Sequence, residues 1–285
     1  MTTYLITQTL NGLFSAALLF LIASGLTLAF GVMKIVNIAH GSFYMLGVYV
    51  AYTVILRTGS LLLGAVAAVI AVAAIGYLMQ RVFLRRFGSD PLPQMMMTMG
   101  FALFFRDATL MIWGGDPFTL PYPPFLDRSM EAGEVVFPIY RLFVIVVAAL
   151  VGVALWAVNE KTLIGARLRA TVDDPEMASA TGINVARLSG LVFAAGAGLA
   201  AFGGVMGGPI LGGYAGIDFD LLPLAFVVVI IGGMGSLKGA FVGSIVVGMI
   251  DNFGKALVPE LSYFTLFAPM VLMLAIKPTG LYGRA

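Results

Sequence analysis

What constrains this chain most is a succession of apolar stretches too long to be hidden inside a water-soluble fold. They fall at 8–33, 38–56, 60–80, 93–113, 139–158, 188–207, 221–231, 241–254 and 263–277. A helical run of about 18 residues or more crosses a hydrocarbon core of about 30 Å. No water is available there for backbone N–H and C=O groups, so only helices and closed barrels can span. A barrel would read as short segments of strict alternation, and this chain has none. Charged residues make up 11% and hydrophobic ones 60% of the 285 residues, whereas a soluble domain carries about 25% charged residues. The expected fold is an all-α polytopic membrane protein of about 8–9 transmembrane helices, forming a single transmembrane domain over 1–285.

The runs at 221–231 and 241–254 are too short to span alone. Between them lies Gly232-Gly233-Met234-Gly235-Ser236-Leu237-Lys238-Gly239. The pair reads either as short tilted helices or as half-helices meeting at a break inside the membrane. A weak internal repeat is also expected. Phe30-Gly31-Val32-Met33-Lys34 leading to His40-Gly41-Ser42-Phe43 is echoed by Ile231-Gly232-Gly233-Met234-Gly235 leading to Lys238-Gly239-Ala240-Phe241. Transporters are often built from repeats whose broken helices meet at the midplane. Coincidence in a chain rich in Gly, Met and Phe is the competing reading.

Several chemistries drop out. There is no cysteine and one histidine, His40, so thiolate and histidine-cluster metal sites are excluded. The nucleotide-binding pattern G-x-x-x-x-G-K-[ST] does not occur. The first seven residues hold no Lys or Arg, so the stretch from Leu10 to Val32 is read as a retained helix and not a cleaved leader. Basic residues orient the chain through its short loops. The 81–92 loop carries Arg81, Arg85 and Arg86 against Asp90, and the 159–187 loop carries Lys161, Arg167, Arg169 and Arg187. Asp116, Asp127, Glu131 and Glu134 dominate 114–138, and Asp218 and Asp220 stand in 208–220. The first two loops are therefore expected to be cytoplasmic, the second two external, and the C-terminus, with Lys277 and Arg284, cytoplasmic. Nine spans would put the N-terminus outside; an even number would reverse it.

Ionisable and amide groups within apolar runs are unfavourable and by default face a cavity or a partner. The candidates are Arg106, Asp107, Asp251 and Asn252. Arg106 and Asp107 are adjacent, about 100° apart around a helix, so each is expected to meet another helix. The alternative is that the charges sit near helix ends and snorkel, which Lys255, one turn on, favours for Asp251. Asn37 and His40 sit at a break between the first two runs, as translocation-path candidates or as structural hydrogen-bonders. The glycine spacings around Gly203–Gly212 and Gly235–Gly243 are those of close helix packing, with a backbone lining of the path as the second reading.

The 159–187 loop holds the most informative segment. Pro175 suits the first turn of a helix, with Asp173 or Asp174 as N-cap and Glu176 favourable at the N-terminal dipole. Met177, Ala178 and Ala180 continue it, and Gly182 ends it. The product is a short helix held off the membrane face, exposing Ala178 with Met177. It reads as a docking peg, or as an ordinary capped loop helix.

Here the residues resemble a family. Glu176-Met177-Ala178-Ser179-Ala180-Thr181-Gly182 is similar to the E-A-A-x-x-x-G coupling motif of ABC importer permeases. Gly25-Leu26-Thr27-Leu28-Ala29-Phe30-Gly31-Val32-Met33, Val36-Asn37-Ile38-Ala39-His40-Gly41 and Ile231-Gly232-Gly233-Met234-Gly235-Ser236-Leu237 resemble the branched-chain amino acid permeases among them. So do Gly165 to Ala170, Thr181-Gly182-Ile183-Asn184 and Lys277-Pro278-Thr279-Gly280. The resemblance implies a non-enzymatic transport subunit of a bacterial inner membrane. It implies a second related permease subunit, two cytoplasmic ATPase subunits holding ATP and Mg, and a periplasmic solute-binding protein. No cofactor and no nucleic acid is implied for this chain. Pro175, Glu176, Met177, Ala178 and Gly182 would couple to the ATPases. Asn37, His40, Ser42, Arg106, Asp107, Asp251, Asn252, Gly232 and Gly233 are the path candidates. The family commonly has an acidic residue where Ser42 stands and Pro where Lys238 stands. These departures leave urea, short amides and aromatic or other organic acids beside branched-chain amino acids as substrates. A passive small-solute channel is the rival from another class.

Overall fold

A computed structural model of the protein describes residues 1–87, 90–132 and 135–283; Glu134 and Arg284, both counted above for orientation, lie outside the described residues. Its α-helices are α1 (Thr2–Met33), α2 (His40–Thr58), α3 (Leu61–Val82), α4 (Pro91–Trp113), α5 (Ile139–Lys161), α6 (Leu163–Asp173), α7 (Pro175–Ala180), α8 (Val185–Leu211), α9 (Ile217–Gly232), α10 (Leu237–Leu257) and α11 (Ser262–Ile276). A hairpin of β1 (Ser129–Ala132) and β2 (Val135–Pro138) pairs antiparallel with Met130 opposite Phe137, inside what the sequence presents as a plain loop. Among the described residues six helices, α1, α3, α4, α5, α8 and α10, are long and apolar enough to cross a membrane. The expected eight or nine spans are not reached on that measure. At about 1.5 Å per residue, α9 and α11 fall short of a hydrocarbon core, and α2 carries His40, Ser42 and three tyrosines among its 19 residues.

Sequence chemistry explains most boundaries. The hydroxyls of Ser60, Thr162 and Ser236 and the amide oxygen of Asn184 accept from backbone N–H groups at the starts of α3, α6, α10 and α8. Asp90 does the same for α4, with Pro91 next. α1 is apolar on all sides, as suits a helix surrounded by others. Its middle, Ala16 to Thr27, is wholly buried.

The neighbour relations come in matched pairs. α1 lies along α10 as α3 lies along α8; α2 packs on α3 as α9 packs on α10; α2 meets α4 as α9 meets α11. α1 and α8 cross each other at glycines, where a Cβ on Gly25 would stand 2.4 Å from the Gly196 carbonyl oxygen. Two four-helix units, α1–α4 and α8–α11, thus have equivalent surroundings and run in opposite senses. The repeat is one of elements. The echoed segments expected from sequence are not its equivalent parts: they touch, with a Cβ on Gly31 3.4 Å from the Gly235 Cα.

The two ends of the bundle differ in charge. At one, a cleft of about 590 Å³ is bordered by Lys34, Arg169, Lys238, Glu160 and Asp173, and Arg81, Arg85 and Arg187 gather in a smaller one. At the other, the 114–128 segment folds back on the α8–α9 connection through paired Phe118 and Gly213 backbone bonds of 3.0 and 2.7 Å. Tyr52 stacks on Phe118, Tyr49 meets the same ring edge-on, and Trp113 donates to Thr53 Oγ1 at 2.8 Å.

Candidate functional site

The chain turns back on itself between α1 and α2, and a polar junction forms there. α1 stops at Lys34, which takes a left-handed φ of 53° while its N–H bonds to the Phe30 carbonyl at 2.7 Å. Residues 35–39 then re-enter the bundle. His40 Nε2 lies 3.0 Å from the Ile22 carbonyl oxygen, and Ile22 is roughly 16 Å back from the end of α1. The start of α2 is therefore deep in the fold. Its cap residue, Ala39, offers no side-chain bond; instead the Ile38 N–H donates to Thr98 Oγ1 of α4 at 3.2 Å.

The start of α9 meets the start of α2. Ser42 Oγ donates to Asp218 Oδ2 at 2.8 Å, joining first turns that are 176 residues apart in sequence. A Cβ on Gly41 would stand 2.5 Å from the Asp218 carbonyl oxygen. With two helix N-termini converging on it, a carboxylate is electrostatically suited to this position. Asp218 is 2% exposed. Among the described residues its Oδ1 has no hydrogen-bond partner, and neither amide atom of the buried Asn37 has one. Buried groups with free hydrogen-bonding capacity in a re-entrant break are the kind of lining a polar solute can use.

The other path candidates separate from this junction. Asp107 is exposed on the outer side of α4, and so is Arg106, at its flank. Asp251 is ion-paired with Lys255 at 2.7 Å within α10. Asn252 clasps α10 to α1 by donating to the Gln8 backbone and side-chain oxygens, both at 2.8 Å. Gly232 and Gly233 are packing positions. A Cβ on Gly232 would lie 2.2 Å from the Gly239 carbonyl oxygen, and one on Gly233 2.2 Å from the Gly283 nitrogen. Asp218 was missed as a site residue because it reads only as a loop charge. The available signal was an acid in the first turn of a short apolar helix behind three glycines.

At the basic end, α7 is a short helix closed by hydrogen bonds at both ends. Asp174 Oδ1 accepts from the N–H groups of Glu176 and Met177 at 3.0 and 2.9 Å. The far end closes with Ile183 N–H to Ala178 O at 3.1 Å and Gly182 N–H to Ser179 O at 3.0 Å, the two bonds of a Schellman turn. Gly182 sits at φ +88°, with open space around it. Pro175, Glu176 and Met177 are exposed, but Ala178 is only 4% exposed. The expectation that Ala178 shows its methyl group outward is corrected: α7 seats on α6, and Ala178 faces inward.

An apolar helix bundle with a re-entrant polar junction and a capped helix at its basic end has the architecture of a polytopic membrane protein. The chain belongs to the family described as branched-chain amino acid transport system / permease component, whose model matches residues 8–274. BraD of Pseudomonas aeruginosa, a high-affinity branched-chain amino acid transport system permease protein, is 30% identical over 97% of this chain and 95% of its own. LivH of Escherichia coli, of the same description, is 30% identical over 99% and 96%. The fructose import permease protein FrcC of Rhizobium meliloti is 30% identical over 53% of this chain and 44% of its own. No solved structure matches the chain.

Proposed function

We propose that this chain is the permease subunit of an ABC importer in a bacterial inner membrane, taking up branched-chain amino acids or a related small polar or organic-acid solute. The observation that carries the reading is near full-length similarity to two branched-chain amino acid permeases, in a chain that keeps the 175–182 peg. ATP with Mg is bound and hydrolysed on two separate cytoplasmic subunits, which dock on α7. A periplasmic binding protein delivers solute at the 114–138 side, and a second, related permease chain completes the path. The excess of Lys and Arg at the α7 end orients that end, and the C-terminus, to the cytoplasm. The Asn37–Ser42–Asp218 junction is the proposed polar stretch of the path within this chain. Its unused acceptor on Asp218 and the Asn37 amide suit an ammonium and a carboxylate respectively.

The test is uptake of labelled leucine into vesicles holding the permease pair, the ATPases and the binding protein. Uptake that needs ATP and the binding protein is expected, with competition by isoleucine and valine. Flux through this chain alone without ATP would replace the importer reading by a channel. Competition by urea, amides or aromatic acids, and not by leucine analogues, would move the substrate to those classes.

A further inference from the structure

Asp107 stands on the side of α4 that nothing in this chain covers. The buried residues of α4 are Gln94, Thr98, Ala102, Phe105 and Thr109. Their spacing of three and four residues makes one stripe, which meets α2. At about 100° per residue, Asp107 points almost directly away from that stripe. Met96, Gly100 and Leu103 share its outward line and are exposed with it. Among the described residues Asp107 has no ion-pair or hydrogen-bond partner. It lies roughly 9 Å inside the Trp113 end of the helix, and its short side chain lacks the reach by which Lys or Arg snorkel to water. Gly100 adds a second, independent sign, since a Cβ there would meet nothing within 4 Å. Its smallness serves no contact inside this chain, whereas in a membrane a small residue on an outer face admits a neighbouring helix.

We propose that the Met96–Gly100–Leu103–Asp107 line of α4 is the seat of the second permease chain. That chain presents a cationic or hydrogen-bond-donating side chain to Asp107 and a closely approaching helix at Gly100. The proposal rests on reading this chain as one half of a permease pair. Charge selects the occupant. Lipid tails supply no counter-charge, and a second copy docking through the same line would set carboxylate against carboxylate at one depth.

The chain has no cysteine, so Leu103→Cys carries a benzophenone maleimide at one position of an otherwise unchanged subunit, in membranes holding the complete transporter. Irradiation is expected to join this chain to the second permease, identified by mass spectrometry of the tagged product. A product of two copies of this chain, or adducts to lipid alone, overturns the proposal. In parallel, Asp107→Lys is expected to lower the yield of assembled transporter at least tenfold and Asp107→Asn by less; assembly of Asp107→Lys at the normal level also overturns it. ATP-driven uptake by the unmodified transporter is measured beside these. Its absence would remove the importer reading, while the cross-link reports on the seam alone.

Discussion

Ser42 and Asp218 show how a departure at one residue is answered far along the chain. The resemblance leads one to expect an acid at position 42, and its absence reads as a lost charge at the mouth of a helix. In the fold, the acid at that place comes from Asp218, 2.8 Å from the Ser42 hydroxyl. Removing the donor leaves a buried carboxylate without its charge-assisted bond, a loss of about 1.5–3 kcal/mol. Ser42→Ala should therefore lower the unfolding midpoint of the detergent-purified protein. Ser42→Asp should lower it further, because two carboxylates would share the site. The double variant Ser42→Asp with Asp218→Ser restores one donor and one acceptor and should recover both midpoint and uptake. Normal stability of Ser42→Asp alone would show that the pair does not hold the two helix starts together.

At the scale of the element, α7 was legible because everything that shapes it lies within about ten residues. Asp174 caps, Pro175 starts and Gly182 turns the chain, all by backbone rules that need no neighbour. What could not be read was the direction of Ala178, since that depends on where α6 lies. Gly182 takes a left-handed φ in open space, so a substitution there meets strain without collision. A β-branched residue in that conformation is disfavoured by about 1–2 kcal/mol, whereas Asn visits it more readily. Gly182→Val should reduce the ATPase chains that co-purify in detergent, Gly182→Asn should retain most of them, and Met177→Ala should weaken docking without loosening α7. Equal co-purification of all three with the normal protein would end the docking role of the peg.

For the whole molecule, the charge difference between the two ends is the feature with the largest consequence. Arg85 and Arg169 border clefts at one end, and Glu131 lies in the hairpin at the other. In intact cells, a cysteine replacing Arg85 or Arg169 should react only after the cytoplasmic face is opened, and one replacing Glu131 should react with an impermeant maleimide from outside. Labelling of Arg169→Cys from outside would invert the orientation and remove α7 from the ATPases. The inverted pairing of α1–α4 with α8–α11 places the re-entrant starts of α2 and α9 against each other inside the bundle. A transporter built on inverted repeats needs its polar break there.

Residence in a membrane and a capped helix in the longest basic loop can both be read from the residues alone. Each of those follows from a local threshold: enough consecutive apolar residues to outlast the hydrocarbon thickness, or a cap satisfied by the next few N–H groups. Packing settles which short helices sit inside the bundle, that Gly232 and Gly233 are close-contact points, and that Asp218 meets Ser42. Asp218 reaches Ser42 across 176 residues, and Gly232 and Gly233 are closed by Gly239 and Gly283, which only the packed chain brings against them. A hydropathy pattern records what each segment can tolerate around it, and packing alone decides which segment comes to stand there.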